Sequence, residues 1–339
     1  MYTNTTGGFN IAIGHNSMKN NTTGYSNTVV GNLSMTNNIS GKYNTSIGYS
    51  SLYSNTIADF NTSIGSFSLY SNTEGYNNTA VGYSSMISNI TGYSNTAVGY
   101  SSLYSNTTGY YNIAIGNNSM LTNTTGSINI AIGNNSLYLN TIGNFNTAIG
   151  YFSLRSNTTG DNNIAIGHYS LFSNETGFNN TAIGYNSLYS NTTGYYNIAI
   201  GINSLYSNEG GYYNTAVGNF AGYSNIDGYG NVFIGHFAGN YETNSNTFYL
   251  HNGLGVNSYE TGITHSLLYG TFSEDSTQQT LRINANTSNF GNLILQDTKA
   301  FYFGDENTDG TWRIIRVGNN LEFQRSENGV WVTKSTMTP

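Results

Sequence analysis

From Asn4 to Tyr241 the apolar positions return every 17 residues. A small residue, an Ile or Val and a Gly stand together, as in Ala114-Ile115-Gly116 and Ala199-Ile200-Gly201, and a Leu or Met stands four residues beyond the Gly. The Ile/Val column is unbroken from Ile13, Val30 and Ile47 to Ile234, with Ala before it in most units (Ala80, Ala97, Ala114, Ala131). Successive side chains of a strand point to opposite faces, and β-branched residues suit a pleated surface. The pattern predicts a short strand with the Ile/Val facing inward, then a Gly corner. The Leu/Met column (Met18, Leu52, Leu103, Leu137, Leu188) predicts a second buried strand. No 3.6-residue period survives this much Gly and Asn, so helices are excluded from the array.

The polar positions are as regular. One Asn column runs from Asn4 to Asn225, and a second from Asn10, Asn27 and Asn44 through Asn112 and Asn197 to Asn231. A Gly column (Gly14, Gly31, Gly116, Gly201) is unbroken to Gly235, and another, from Gly7, fails only at Ala58. Gly at a fixed phase implies positive φ or close backbone approach. Each unit reads as strand, Gly corner, strand and an Asn-Thr-Thr-Gly turn. Internal repeats at such a period are the mark of stacked architectures. Fourteen units make an all-β solenoid, a β-roll, on the order of 65 Å long at the inter-strand spacing. Asn columns in register form amide ladders. Three or four apolar side chains per turn are little for a freestanding rod, and side-by-side association of chains would add buried surface.

Composition sharpens this picture. Charged residues are 7% of the 339, against roughly 25% in an ordinary globular chain. The 30 Tyr and 16 Phe argue against disorder, which is poor in aromatics. The net charge of −7 is dispersed and no Lys/Arg cluster exists, so nucleic acid is not an expected partner. Apolar runs are too short for a transmembrane helix, and membrane insertion is not expected. The start carries no basic, apolar secretory pattern. Without cysteine, the compartment stays open.

Candidate chemistry is sparse. The histidines (His15, His168, His236, His251, His265) are scattered, with His15 and His168 nine layers apart. Asp59 and Asp161 share a repeat position six layers apart, too far for a glycosidase pair, which needs roughly 5–10 Å. The loop Gly304–Gly310 carries Asp305, Asn307 and Asp309 like half a calcium loop, but Arg316 holds the place of the bidentate Glu, so a polar hairpin turn is expected. No catalytic residue, metal or cofactor is expected. Tyr stripes (Tyr104, Tyr189 and Tyr206 in one column) offer either a sugar-stacking surface or mere ring packing, the latter favoured. The Asn-x-Ser/Thr triplets at Asn4, Asn106, Asn157 and Asn191 follow from the repeat rather than from glycosylation.

Residues 242–339 break the period and hold six of the nine Lys/Arg, with both Trp. Residues 242–290 read as a closing unit and transition, and 291–339 as a β-hairpin domain with an Asn328-Gly329 turn. Trp312, Arg313 and Trp331 are its candidate surface-binding residues. Its alternative role is a cap against end-to-end growth.

The phrase Asn95–Asn112, "NTAVGYSSLYSNTTGYYN", resembles the head repeats of trimeric adhesins of the YadA type. The resemblance covers about 240 residues, although those heads repeat at a shorter period. It implies a left-handed β-roll in an intertwined homotrimer. The stretch Gly230–Gly253 resembles a closing unit that follows such arrays in phage tail fibres and bacterial surface proteins, and the C-terminus is similar to the ends of phage virion proteins. The stalk and membrane anchor of an autotransporter are not recognised. The expectation is therefore a virion tail fibre, which binds a host-surface receptor, glycan included, and joins other virion proteins upstream. A bacterial adhesin or filament subunit is the alternative, and an ice-binding solenoid a remote one. Met1 falls in the Leu/Met column, so the chain opens in mid-repeat. Either it continues a longer fibre or its partial turn caps the rod.

Overall fold

A computed structural model describes residues 3–253, 256–275, 278–283, 300–303, 312–317, 320–328 and 330–337. The chain divides into two compact units, Met1–Asn284 and Ala285–Pro339. In the first, one three-residue strand per repeat runs from β1 (Ile11–Ile13) to β14 (Val232–Ile234), each pairing in parallel with the next at an offset of 17. The expected β-solenoid of fourteen layers is present. After it come β15 (Thr247–Leu250), α1 (Tyr259–His265), β16 (Leu268–Thr271) and β17 (Thr280–Ile283). β15 continues the parallel ladder, and β16 and β17 extend it antiparallel, giving a 17-stranded sheet. The closing segment is thus continuous with the array, inside the first unit. The second unit is an antiparallel sheet of β18 (Ala300–Phe303), β19 (Trp312–Val317), β20 (Asn320–Glu327) and β21 (Val330–Met337). Asn328, at φ 48°, begins the expected hairpin turn.

Two expectations are corrected. The Ile/Val column faces out: Ile13, Ile115 and Ile200 are 60%, 38% and 37% exposed, while Ala114 and Ala199 between them and the next outward residue are buried. The interior takes only small side chains there, mostly Ala or Ser with Val29 the largest before the closing unit, because two Asn columns, a Ser column and the Leu/Met column already fill most of it. The Leu/Met residues are fully buried as expected, but in a turn rather than a second strand. Leu103 and Leu188 each have φ near 50°. That left-handed conformer points the Leu103 N–H up the axis to the Ser119 carbonyl (2.9 Å), while Ser101, also left-handed, donates down to Tyr83 (2.9 Å). Each such residue costs about 1–2 kcal/mol, offset by hydrogen bonds that join even the turns layer to layer.

The Gly columns have two reasons, one each. Gly116, at φ 133°, holds a conformation that only glycine adopts readily, and a Cβ would lie 2.5 Å from the Gly133 carbonyl oxygen. Gly109 needs no positive φ; a Cβ there would lie 2.4 Å from Asn106 Oδ1 and 2.5 Å from the Gly126 carbonyl oxygen, and its own carbonyl is the meeting point of both ladders, accepting from Asn106 Nδ2 at 3.0 Å and Asn95 Nδ2 at 2.8 Å. The first ladder is amide to amide, as in Asn106 Nδ2 to Asn89 Oδ1 (2.8 Å). In the second, the main acceptor role of each Oδ1 is toward the backbone. Asn27 N–H donates to Asn10 Oδ1 (2.9 Å), Asn44 N–H to Asn27 (2.9 Å), and Asn197 N–H to Asn180 (3.0 Å). Asn thus satisfies, in one side chain, a donor and an acceptor that burial would otherwise leave orphaned.

Candidate functional site

The strand alternation that buries Ala exposes everything beside it. Repeat positions 11 and 13 of the first layer, and their equivalents above, form two outward columns that contain only Thr, Ile and Val through fourteen layers. Register carries the columns on: Val232 pairs with Phe248 and Ile234 with Leu250, then Leu250 with Leu268 and Leu268 with Ile283. The result is one uncharged ribbon over all seventeen strands, apolar along its Ile/Val column and mixed Thr and Ile along the other, roughly 75 Å long at the inter-strand spacing. Exposed aromatic residues flank it on both sides, Tyr111 and Tyr213 on one and Tyr83 and Tyr100 on the other. Two columns a little under 7 Å apart, with side-chain width, give on the order of 800 Å². The largest apolar patch on a typical monomer is about 300–600 Å². A stable interface covers about 800 Å² per partner. The ribbon matches the second figure.

The tyrosine stripes are built differently. Tyr189 lies between Phe172 (centroids 5.1 Å, planes 5° apart) and Tyr206 (5.1 Å, 6°), and Tyr206 stacks in turn on Tyr223 (5.0 Å). Their flat faces, which a sugar would need, are covered by one another, so edges and hydroxyls meet the water. Tyr104, 38% exposed, has Ile87 and Leu121 at the equivalent positions of the adjacent layers and joins no such stack. Burial in the stack, then neighbouring phenols, pushes the Tyr206 and Tyr212 hydroxyls above their ordinary values.

The remaining candidates are placed as follows. Asp59 accepts the Lys42 N–H (2.7 Å) and Asp161 the Asn144 N–H (2.6 Å), so each carboxylate caps backbone of the layer before it. Asn106, Asn157 and Asn191 are fully buried in the first ladder, which leaves no room for a glycan. In the second unit, the Arg313 guanidinium lies over the Trp331 ring at 4.3 Å and its Nε donates to Gln324 Oε1 (2.7 Å). Trp312 is 41% exposed, with Arg325 beside its ring at 6.0 Å. The suggested calcium loop, Gly304–Gly310, lies outside the described residues. Among the described residues no group of three His, Asp or Glu is placed to hold a metal ion, and no helix is long and apolar enough to cross a membrane.

Sequence reasoning missed the construction of the closing unit. In β14 the small inward residue becomes Phe233, fully buried, and the Leu column becomes Gly222 and Gly239, where a Cβ would run into the Phe233 ring. The 17-residue alignment holds that exchange, Ala for Phe and Leu for Gly, as its signal. Phe233 packs on Tyr249 (5.8 Å), and Tyr249 on Tyr269 (4.8 Å). Glu242, 1% exposed, takes the Tyr249 hydroxyl on Oε2 (2.8 Å). Its Oε1 accepts Thr243 N–H (3.0 Å), Asn244 N–H (2.8 Å) and Asn244 Nδ2 (2.9 Å). Burial, then the Glu242 charge, holds the Tyr249 phenol far above its usual range. Of the five histidines, His251 lies here against the backbone of His265. His251 Nδ1 is 3.1 Å from the His265 carbonyl. Burial first, and the neighbouring imidazoles after it, lower the His251 pKa.

Comparison with family models, with curated proteins and with solved structures finds no match for this chain.

Proposed function

We propose that this chain is a non-catalytic fibre subunit: three copies cover their ribbons against one another, and the C-terminal sheet meets a host surface. The virion tail fibre of a tailed phage is the setting that the likeness of the repeats and closing unit favours, with a host glycan or protein receptor and other virion proteins as partners. The observation that carries the reading is the ribbon. A strip of Ile, Val and Thr of interface size, free of charge over fourteen layers, is stabilised when another copy covers it. Regularity supports the absence of catalysis, since no layer departs from the pattern to form a groove. A bacterial adhesin or extracellular filament subunit would use the same association with a different anchorage.

A second reading has one observation in its favour. Thr28, Thr45, Thr62, Thr79 and Thr96 do form an outward, in-register row beside Val and Ile, as an ice-binding face requires. Ile113, Ile130, Ile164 and Ile198 interrupt it.

Light scattering of the purified protein against the chain mass of 36.7 kDa is the test. Threefold mass, reduced to one chain by Ile132→Lys with Ile166→Lys, is the expected result. A monomeric wild type would overturn the trimer and return the ribbon to ice. A trimer that binds neither host cells nor glycans would overturn the attachment role alone.

A further inference from the structure

The ribbon has a defect as an interface. Its two columns repeat Thr, Ile and Val with no charged residue in fourteen layers, so sliding one copy by a layer forfeits only one layer of contact and meets no repulsion. Nothing in the array fixes the axial register between copies. Parallel in-register packing therefore needs a feature outside the repeat, and the closing unit holds one on the same face.

There the spacing from strand to strand falls from 17 to 16, Val232 pairing with Phe248. The column that carries Thr or Ile below carries Phe248, then Gly270, then Leu281. Over Gly270 lies a depression of about 410 Å³, walled by Phe248, Thr271, Phe272, Gln279, Thr280 and Leu281. No side chain can grow from its floor, because a Cβ on the buried Gly270 would lie 2.5 Å from the Thr280 carbonyl oxygen. Two residues along on the same face, Phe272 is 46% exposed and stands edge-on to Phe248 (6.4 Å). Its backbone is pinned by a bond from its N–H to the Asn246 carbonyl (2.6 Å). A hole and an aromatic knob thus sit side by side at one level, the knob touching Phe248 at its edge and open to water beyond it.

We propose that Phe272 of a second copy fills the Gly270 hole, and that this exchange sets the register of copies associated along the ribbon. The occupant is another copy of this chain because the hole is continuous with a ribbon whose area suits a stable interface, and because hole and knob recur at one level about a common axis. The inference rests on the association proposed above and adds the residues that align it.

Disulfide trapping reads register directly, since the chain has no cysteine and a disulfide spans only about 3.5–4.5 Å between Cβ atoms, less than one layer. Ile149→Cys tests pairing within a layer; co-expressed with Ile166→Cys, it tests pairing one layer off. In the wild-type closing unit the same-layer bond should form at least about tenfold faster, the ratio given by about 1.4 kcal/mol of register preference. With Phe272→Ala that ratio should fall to about one at unchanged oligomeric mass, with Phe272→Leu partly restoring it. If Phe272→Ala misfolds by circular dichroism, Leu281→Ser at the rim of the hole should give the same loss. Equal trapping of both registers in wild type, or an unchanged ratio in the variants, overturns the proposal. A monomeric mass shows first in light scattering and defeats the association itself.

Discussion

Asn112 offers the sharpest test of what holds the layers together. It is fully buried in the second ladder. Its Oδ1 accepts Asn129 N–H (3.0 Å) and Asn129 Nδ2 (3.2 Å), and its Nδ2 donates to the Gly126 carbonyl (2.8 Å). In Asn112→Ala the Gly126 carbonyl keeps Asn123 Nδ2 (2.9 Å) and Asn129 Nδ2 keeps the Gly143 carbonyl (2.9 Å). The Asn129 N–H keeps nothing. An orphaned buried donor costs about 1–3 kcal/mol, and the small void adds about 1 kcal/mol, for a total of about 2–4 kcal/mol. Asn112→Asp preserves shape and acceptor but loses the donor and buries a charge, so burial raises its pKa. A raised folded pKa means that the penalty is smallest in acid and grows as pH rises through the unfolded value of about 3.9. Hydrogen exchange at the Asn129 amide is the right assay, because arrays need not unfold in two states and both Trp lie in the other unit. Protection should fall between about thirtyfold and a thousandfold in the Ala variant, at tenfold per 1.4 kcal/mol. In the Asp variant it should be lower at pH 7 than at pH 4, relative to wild type. A change under about threefold in Asn112→Ala, or an Asp variant as stable as wild type at pH 7, would refute the ladder as the source of cohesion.

Gly116→Ala, at φ 133° and against the Gly133 carbonyl, should cost about 3 kcal/mol or more. Gly126→Ala should cost clearly less in the same urea titration, because Ala58 fills that column with its ladder bonds intact (3.1 and 2.9 Å). Glu242→Gln cannot accept on both oxygens, and losing one bond to a charged group should lower the stability of the closing unit by about 1.5–3 kcal/mol, read as a shift in the exchange of the Asn244 amide. His251, with its folded pKa lowered, binds a proton more readily when unfolded. Stability is therefore lost as pH falls from about 6.5 toward the folded value. The Leu267 amide, bonded to Leu250 (2.8 Å), should exchange faster at pH 5 than at pH 7 after correction for intrinsic rate. The effect should vanish in His251→Gln.

The candidate site was legible only in part. The Ile/Val column was plain in the text, yet its facing was misread, because a column of β-branched residues looks like a core. In a layer of 17 residues the interior has room for Ala114, Met120, Ser119 and two Asn, so the larger residues are the ones turned out. The tyrosine columns were equally visible, but whether a ring offers its face to a ligand or to the next ring depends on a separation of about 5 Å between layers. That distance exists only once the layers are stacked.

What the sequence determined alone was the layer: its length, its number, the Gly corners and the two Asn columns. These follow from local demands that repeat at each turn, a φ only Gly accepts or a buried amide only Asn satisfies. What the tertiary structure decided was direction and closure. It showed which face of a three-residue strand looks out, that Leu103 turns rather than extends, that Phe233 exchanges bulk with Gly222 and Gly239, and that Glu242 and Tyr249 meet over the last layer. Those facts depend on the volume enclosed when residues 17 and more apart in the chain come together. A periodic text cannot state that volume, because it gives only the order of the residues and only the packed layers have an inside.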